Sequence, residues 1–496
     1  MGIRRGIIVA LGFVLEILLS LIIYLLFIDN IAIIYIGFRI FGFLLVLYLI
    51  KNSKNYSYTL PWILILVLSP VVGTLIYIIL GHNKFRSKTL KSINESELNS
   101  KKYLIQDESI KEEINKNSEL RYLSNYAKYP VSTNNKIDYY PLGDGCFPKM
   151  LEELKKAEKF IFFEYFIVDK GKMWNSILDI LVDKASKGVD VRVMYDDLGC
   201  ISLLSKNYPK ELENKGIKCV PFNRLSPLAG VIMNNRDHRK ILVIDGKVAF
   251  SGGINIADEY INEKVRFGHW KDNGLKVVGD AVWNYTVMFL TMWNAYKHED
   301  EDYTKFKYEF KHDFKNGYVV PYGDTPLDEE NTGEDVYLNI INMAHDYVYI
   351  FTPYLIIDNV MTNSLCLAAK RGVDVRIVIP GIPDKKVVYT LSQSYIELLV
   401  KAGVKVYKYT PGFIHSKVFV SDDNIATVGT INMDYRSLYL HFECGCLMKD
   451  VDTIKDVKKD TIETINKSHE VTLEEATPGF FKGIWQAILR LVAPMM

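Results

Sequence analysis

The chain has 496 residues and carries 60 basic side chains against 59 acidic ones. This length is enough to bury at least two hydrophobic cores, and the near-neutral charge argues against a protein built to coat nucleic acid. The six cysteines form no CxxC pair and no zinc-ligand pattern. A structural zinc site is therefore not expected, and reduced thiols in a cytosolic setting are favoured.

Residues 1–81 are predicted to be a hydrophobic membrane region. Three apolar runs, at 6–28, 31–50 and 60–80, are each long enough to cross about 30 Å of hydrocarbon at about 1.5 Å per residue. The sequence thus predicts two to three transmembrane helices and a multi-pass protein of the cell membrane. Basic residues flank every run, and the densest cluster follows the third run. This cluster favours a cytoplasmic catalytic part.

Beyond the membrane region, residues 82–130 are predicted to be a polar linker with short helical pieces. Residues 131–315 and 316–477 then each alternate helical and strand patterns. The predicted helices are 148–159, 173–187, 335–345 and 359–370, and the predicted strands are 160–168, 189–195, 347–354 and 373–379.

A near-identical segment marks the same point in both parts of the chain. Lys-Gly-Val-Asp-Val-Arg at 187–192 returns as Arg-Gly-Val-Asp-Val-Arg at 371–376. Self-similarity at a fixed separation indicates a duplicated unit, and alternating helices and strands indicate an α/β fold. The sequence therefore predicts two tandem α/β repeats.

The last segment, 478–496, has the pattern of an amphipathic helix. Its apolar residues include Phe480, Phe481, Trp485 and Ile488, and the basic residue Lys482 lies between them in the sequence. Such a helix lies on a bilayer surface or docks on its own core, and the sequence leaves both alternatives open.

The strongest signal is a spaced triplet that occurs twice. His238, Lys240 and Asp245 recur as His415, Lys417 and Asp422 with the same spacing. Both triplets are followed by an apolar run, a polar turn, a second apolar run, and then glycine and asparagine. In the first copy this tail holds Gly253 and Asn255, and in the second Gly429 and Asn432. A single histidine beside a strand is more often structural than catalytic, but a double match with matching tails favours function.

The local pattern predicts a β-hairpin in each copy, with the aspartate in the turn. Residues two apart on a strand share a face, so His238 and Lys240 lie side by side, as do His415 and Lys417. Asp245 and Asp422 are candidate catalytic residues of the triplet. The favoured interpretation is that they hold the hairpin by accepting hydrogen bonds from backbone amides.

The duplicated His-x-Lys-x4-Asp pattern resembles the signature of the phospholipase D superfamily, and the whole chain is similar to the bacterial cardiolipin synthases within it. Tyr195 to Gly199, His269 to Asp272, and Asn432 to Ser437 contribute to the likeness. One departure is His441, where many relatives carry asparagine. No role is carried over to this residue.

The resemblance implies two phospholipase D-like repeats packed about a pseudo-two-fold axis, with an N-terminal transmembrane helical region before them. The two motifs then form one shared active site. A phosphodiester fits between Lys240 and Lys417, and its growing negative charge is stabilised without metal. The expected supporting groups for the phosphate are Gly253, Asn255, Gly429 and Asn432.

A covalent phosphohistidine is the intermediate that the family implies. His238 is assigned as the nucleophile and His415 as the acid and base, although the symmetry of the site makes the assignment reversible. Glu443 is the candidate to hold a histidine ring, with a surface charge as the alternative. Glu164 is the candidate for the same task in the first repeat. Asp196, Asp197 and Asp272 match no common metal site and are expected to orient side chains and cap helices.

By resemblance, the expected reaction moves a phosphatidyl group from one phosphatidylglycerol to another, releases glycerol and gives cardiolipin. The expected partners are these lipids in the bilayer, with no cofactor, no nucleic acid and a possible homo-oligomer. A hydrolytic phospholipase D and another phosphatidyltransferase are the alternatives. A nuclease and an inactive membrane scaffold are disfavoured by the charge balance and by the presence of all four motif histidines and lysines.

Overall fold

A computed structural model describes residues 18, 31–53, 56–78, 88–224, 235–311, 314 and 316–495. The chain divides into two compact units. The smaller unit comprises Met1–Ser87 together with Pro478–Met496, and the larger unit comprises Lys88–Thr477.

The smaller unit contains the apolar helices α1 (Ile31–Asn52), α2 (Tyr56–Leu68) and α3 (Pro70–Ile76). Within the described residues, Ile33–Asn52 is the one segment long and apolar enough to cross a membrane by length and composition. The predicted run at 60–80 is interrupted, because Ser69 leaves the helical conformation before Pro70. The predicted run at 6–28 lies outside the described residues apart from Leu18.

The C-terminal segment of this unit forms the helix Phe480–Val492. Gln486 and Leu489 are buried, whereas Phe480 and Phe481 are 76% and 84% exposed. The sequence left two alternatives for this helix, docking on its own core and lying on a bilayer surface, and each of them fits one side of the helix. One side is docked inside the unit, and the other presents apolar side chains outward.

Residues 88–130, predicted as a polar linker, belong to the larger unit. They form α4 (Lys88–Ser100), α5 (Lys111–Lys116) and α6 (Ser118–Asn125). On α4, Ile93 is fully buried, and the hydroxyls of Ser92 and Ser96 donate to the carbonyls of Ala295 and Thr291 at 2.7 Å. Because a short serine side chain permits close backbone approach, this polar-looking segment packs as part of the fold.

The first repeat is built on a seven-stranded sheet in the order β1-β8-β6-β5-β2-β3-β4, in which β2, β3 and β4 run parallel. Three helices, α7 (Gly143–Lys156), α8 (Lys172–Ser186) and α9 (Tyr208–Glu213), connect strands of this sheet. The strands are β1 (Asn135–Tyr140), β2 (Phe160–Tyr165), β3 (Asp190–Asp196), β4 (Lys218–Phe222), β5 (Lys240–Ile244), β6 (Val248–Gly252) and β8 (Gly274–Gly279). The short strand β7 (His269–Lys271) lies outside this sheet.

The second repeat is built on an eight-stranded sheet in the order β19-β13-β12-β10-β15-β16-β18-β9, in which β10, β12 and β13 run parallel. Its strands are β9 (Tyr318–Asp324), β10 (Tyr347–Phe351), β12 (Asp374–Pro380), β13 (Lys405–Tyr409), β15 (Val418–Ser421), β16 (Ile425–Gly429), β18 (Glu443–Lys449) and β19 (Ser468–Glu470). The short strands β11 (Leu355–Ile356), β14 (Gly412–Ile414) and β17 (Met433–Asp434) pair elsewhere.

Helices accompany the second sheet in the same alternation. They are α11 (Thr332–Met343), α12 (Asn359–Lys370), α13 (Lys386–Lys401), α14 (Tyr435–Tyr439), α15 (Ile454–Asn466) and α16 (Leu473–Ala476). In both repeats the first strand of the parallel set, β2 or β10, also pairs antiparallel with the strand that follows the motif histidine. The prediction of two α/β repeats is confirmed.

The two sheets share a core around α10 (Val282–Lys297), a helix buried on nearly every side. One hydrophobic cluster includes Phe162 of the first sheet, Phe289 of α10, and Val420 of the second sheet. The rings of Phe162 and Phe289 stack with their centroids 4.6 Å apart. This common core fixes the two repeats against each other and therefore fixes the position of both motifs.

Candidate active site

The first motif histidine is held by the backbone of the second repeat. The segment before β5 forms a parallel bridge between Asp237 and Phe442. The amide of His238 donates to the carbonyl of Phe442, and the amide of Phe442 donates to the carbonyl of Arg236, both at 2.8 Å. His238 is therefore positioned by Phe442, a residue of the second repeat that is far from it in the sequence.

The second motif histidine is held by the first repeat in the same way. Strand β14 pairs in parallel with β7, so that Ile414 lies opposite Lys271. The amide of His415 then donates to the carbonyl of Lys271 at 2.7 Å. The two repeats exchange backbone hydrogen bonds next to both histidines, which brings the two motifs into one region.

Each histidine is also paired with a buried carboxylate from the other repeat. Nδ1 of His238 lies 2.9 Å from both carboxylate oxygens of Glu443. Nδ1 of His415 lies 2.6 Å from Oδ2 of Asp272. A carboxylate on Nδ1 fixes the tautomer and orientation of the ring and directs bond formation or proton transfer to Nε2. In the free protein, Nε2 of His415 lies 3.1 Å from Nζ of Lys417.

The lysines of both motifs are buried beside these histidines. Nζ of Lys240 donates to the carbonyl of His238, and Nζ of Lys417 donates to the carbonyl of His415. Burial lowers the pKa of Lys240 to about 8 and that of Lys417 to about 7, and the charge of Lys240 contributes to the shift at Lys417. Two cations from different repeats that repel each other suit a shared anionic ligand.

Burial lowers the pKa of both motif histidines. The pKa of His238 lies well below its ordinary value, although Glu443 opposes the shift. Burial and the nearby Lys417 lower the pKa of His415 to about 4, against the pull of Asp272. Both rings are therefore neutral at pH 7 in the free protein, the form in which Nε2 keeps a lone pair for attack.

The two carboxylates remain ionised in this buried setting. Burial alone raises the pKa of Glu443 and of Asp272, but the paired histidine and nearby lysine outweigh it and hold both below their usual range. Thr430 also donates its hydroxyl to Glu443. An ionised carboxylate on each ring stabilises the imidazolium that forms when a proton is taken up.

Glu164 does not hold a histidine, and that prediction is wrong. Its carboxylate pairs with Nη2 of Arg239 at 2.6 Å, and both groups are buried. On the sheet, Glu164 lies opposite Ile241 of β5, so it is out of register with His238. Asp237 adds a second contact to Arg239, from Oδ1 to Nε at 3.2 Å.

Asp245 and Asp422 do not join the histidines and lysines. Asp245 accepts from the amides of Glu158, Lys159 and Phe160 at 2.7–2.9 Å. Asp422 accepts from the amides of 345–347 at 2.8–3.0 Å. These contacts agree with the favoured interpretation of both aspartates as amide acceptors, and a catalytic role for them stays an untested prediction. The amides belong to the start of the neighbouring strand, β2 or β10, instead of to their own hairpins.

The two glycines after the motifs permit close packing, of Gly253 against a carboxylate and of Gly429 against the backbone of a neighbouring strand. A Cβ on Gly253 would lie 2.0 Å from Oδ1 of Asp272, and one on Gly429 would lie 2.4 Å from the carbonyl of Cys444. Their amides donate within the fold, to the carbonyls of Asn273 and Lys417. In the free protein these amides are thus engaged within the fold, and a role in binding or supporting the phosphate stays a prediction.

The two asparagines hold the loops that follow the motifs. Asn255 accepts from the amide of Ile167 at 3.1 Å and donates to the hydroxyl of Tyr260 at 2.8 Å. Asn432 donates to the hydroxyl of Ser437 at 3.0 Å. These side chains brace the loops beside the site, and the predicted role of the two asparagines in binding or supporting a phosphate stays a prediction.

The sequence predicted only a general orienting role for Asp272, and its pairing with His415 was not foreseen. Its signal lies in the second repeat, because Asp272-Asn273-Gly274 and Glu443-Cys444-Gly445 both place an acid two residues before a glycine that pairs in the sheet. Aligning the repeats on that glycine would have found Asp272 from Glu443.

One group of described residues has the composition of a metal site. Ligand atoms of His238, His441 and Glu443 lie within 4.8 Å of one another. Glu443 already accepts from His238 there, and a cation would displace the hydrogen bond that orients the ring. The buried lysines of the two motifs also disfavour a cation, so the arrangement suits proton and phosphoryl chemistry better.

The paired repeats and their crossed histidine–carboxylate contacts define a two-repeat phospholipase D-like protein. Residues 150–267 and 337–464 match the family described as "Cardiolipin synthase, PLD-like domain". Residues 40–82 match the family described as "Phospholipase_D-nuclease N-terminal". The crystal structure of phosphatidylserine synthase from Haemophilus influenzae has the same fold, with a TM-score of 0.56 and 14% identity over 76% of this chain and 98% of that chain.

Relatives match over nearly the full length. An uncharacterized protein of Streptococcus mutans is 46% identical over 91% of this chain and 99% of the relative. The cardiolipin synthases of Alkalihalophilus pseudofirmus and Halalkalibacterium halodurans are 34% and 32% identical, each over 94% of this chain and 93% of the relative. The chain belongs to the bacterial cardiolipin synthase family of the phospholipase D superfamily and is an enzyme of the phosphatidyltransferase class.

Proposed function

We propose that the protein is a membrane-bound cardiolipin synthase that transfers a phosphatidyl group from one phosphatidylglycerol to the hydroxyl of another. Glycerol is released, and the reaction passes through a phosphohistidine. The observation that carries this proposal is the crossed pairing of each motif histidine with a carboxylate of the other repeat, at 2.9 Å and 2.6 Å. This arrangement supplies two oriented imidazoles to one phosphodiester.

In the first half-reaction, Nε2 of His238 attacks phosphorus and forms a P–N bond. The P–O bond to the glycerol headgroup breaks, and the leaving oxygen takes a proton from Nε2 of His415. A bound phosphodiester adds negative charge beside His415 and raises its low pKa, so that the ring carries the proton that it donates.

In the second half-reaction, a hydroxyl of another phosphatidylglycerol gives its proton to Nε2 of His415. The oxygen attacks phosphorus, the P–N bond to His238 breaks, and cardiolipin is formed. His415 ends protonated and His238 ends with its lone pair, so both are ready for the next cycle. Glu443 and Asp272 keep the two rings oriented throughout.

The two lysines supply the electrostatic part of the mechanism. Both lie buried beside the histidines, and their ammonium groups are placed to offset charge on the nonbridging phosphoryl oxygens. The mechanism needs no nucleotide, because exchanging one phosphodiester for another changes the free energy little. It needs no metal, because the lysines supply the positive charge.

The membrane location of this reaction follows from its lipid substrates and from the apolar segment Ile33–Asn52. We place the catalytic part in the cytoplasm and the chain in the membrane as a multi-pass protein. All six cysteines are unpaired and buried, which supports a reducing compartment.

The test is to reconstitute the purified protein in vesicles whose only phospholipid is phosphatidylglycerol, with a chelator and no nucleotide. The proposal predicts cardiolipin and free glycerol in equal amounts. Phosphatidic acid in place of cardiolipin would show that water is the acceptor and that the protein is a phospholipase. No lipid product at all would contradict the synthase.

A further inference from the structure

Two aromatic side chains beside the motif histidines carry polar nitrogens that the described residues leave without a hydrogen bond. They are Nε1 of Trp270 and both ring nitrogens of His441. Trp270 is 5% exposed, and the side chain of His441 is 11% exposed. Nδ1 of His441 lies 3.6 Å from Glu443, which is beyond hydrogen-bonding distance.

The two residues occupy equivalent places in the two repeats. Trp270 comes two residues before Asp272, and His441 comes two residues before Glu443. The ring of Trp270 lies 5.8 Å from that of His415, and the ring of His441 lies 5.7 Å from that of His238. Each motif histidine therefore has an aromatic N–H-bearing neighbour supplied by the opposite repeat.

The backbone fixes both rings in place. Asn262 accepts from the amide of Trp270 at 2.8 Å and donates to its carbonyl at 3.0 Å. The amide of His441 donates to the carbonyl of Arg436 at 2.9 Å. Each ring therefore extends from a fixed backbone, and the ring of Trp270 also packs against those of Tyr260 and Phe413, with centroids 4.8 Å apart in both pairs.

A buried donor without a partner is costly, and this fold satisfies a comparable donor elsewhere. Nε1 of the fully buried Trp174 donates to the hydroxyl of Tyr208 at 2.5 Å. Keeping donors unpaired beside both histidines is explained when a ligand supplies the acceptors. The two motif lysines already indicate that this ligand is anionic and rich in oxygen.

We infer that Trp270 and His441 bind the lipid headgroup. The N–H of Trp270 donates to a hydroxyl oxygen of the glycerol moiety handled by His415, and an N–H of His441 donates to a phosphoryl oxygen near His238. This inference rests on the proposed function and extends it, because it names residues outside the repeated motif that recognise a hydroxylated phospholipid headgroup.

The test compares W270F and H441F with wild type in mixed micelles containing phosphatidylglycerol. Both substitutions keep an aromatic ring and remove the N–H. The KM for phosphatidylglycerol should rise about 5- to 10-fold in each, with a smaller change in kcat, because one hydrogen bond to the ligand is lost. In W270F the share of phosphatidic acid should also rise. The glycerol hydroxyl of the acceptor lipid binds less well there, so water competes better as the acceptor. H441N restores an N–H donor and should recover most of the wild-type KM.

W174F is the matched control, because it makes the same tryptophan-to-phenylalanine change at a buried site whose N–H is satisfied within the fold. Its KM should equal that of wild type, and KM does not depend on the fraction of folded enzyme. If W270F and H441F keep the KM and product ratio of W174F, the inference is overturned while the proposed function stands. If wild type itself forms no cardiolipin, the proposed function fails first.

Discussion

The two repeats present the same chemical groups in different surroundings. Each supplies a histidine, a lysine two residues later and a carboxylate for the other repeat's histidine. Around them the repeats differ. In the first repeat a buried ion pair joins Arg239 and Glu164 next to the motif. In the second repeat Ser416 precedes the lysine, and Phe351 lies opposite Val418 on the neighbouring strand.

The comparison distinguishes side chains that take part in the reaction from side chains that only pack. The groups that appear in both repeats are those that a phosphodiester reaction uses, and they all lie at the contact between the repeats. The groups that differ fill space or satisfy charge within one repeat. A substitution in the first set should change turnover, and a substitution in the second set should change stability.

The largest effect is expected from H238A and H415A. Each removes one of two groups that act as a unit, so turnover in phosphatidylglycerol vesicles should fall roughly 10,000-fold or more. Membrane insertion, measured by alkaline extraction, should not change in either variant. Substantial turnover in either one would show that the repeats do not share a site.

R239S tests the packing that is found in the first repeat. Removing the guanidinium leaves Glu164 as an uncompensated buried charge, which should cost about 3 to 5 kcal/mol of stability in detergent. The double variant E164F/R239S introduces the residue types of the second repeat and should recover most of that loss. A double variant no more stable than R239S would mean that Asp237 is the main partner of Arg239.

E443Q and D272N should each slow turnover by roughly 100- to 1,000-fold, because each removes the charge that orients and stabilises one imidazole ring. The two variants should differ in rapid-quench experiments. E443Q should slow formation of the covalent intermediate, and D272N should slow both its formation and its discharge. Identical time courses would contradict the division of labour between His238 and His415.

D245A and D422A test the structural role of the third motif residue. D245A removes an acceptor of three backbone amides and should lower the free energy of unfolding by about 2 to 3 kcal/mol. D422A should cost less, because Asp422 is only partly buried. Turnover per folded molecule should stay within about twofold of wild type in both. A selective loss of turnover would place these aspartates in the chemistry after all.

Activity should also depend on pH through the two motif lysines. The pKa of Lys417 is lowered to about 7 and that of Lys240 to about 8, so the free enzyme loses ammonium charge as pH rises through this range. Since the mechanism uses both ammonium groups, kcat/KM should fall by up to about tenfold per pH unit between about pH 7 and 8, and by up to about a hundredfold per unit above that range. In K417R the charge persists, so the decline should shift to higher pH. An unchanged profile would assign the decline to another group.

The sequence was sufficient to predict the repeats, their main helices and strands, and the four motif histidines and lysines. The duplication supplied the evidence, since the same spacing and the same Gly-Val-Asp-Val-Arg segment occur twice. Runs of apolar and aromatic residues also placed β2 and β10 to within a few residues of their observed ends.

Contacts between the repeats were harder to predict from sequence. Glu443 was a candidate partner for a histidine, but nothing in the pattern said that its partner would be His238 of the other repeat. Glu164 looked equivalent because it is an acid in an apolar strand, and register placed it against Arg239 instead. Such pairings depend on how two sheets meet at α10, which local spacing does not encode.

The central claim is that one site built from both repeats uses His238 as the nucleophile and His415 as the acid and base. The most direct test is to mix the enzyme with phosphatidylglycerol labelled in its phosphate, quench in mildly alkaline denaturant, and map the label by mass spectrometry. D272N, in which discharge is slow, extends the time over which the labelled intermediate can be trapped. The account predicts label on His238 in wild type and in D272N. Label on His415 would contradict the assignment, and no label on either histidine would contradict the covalent route.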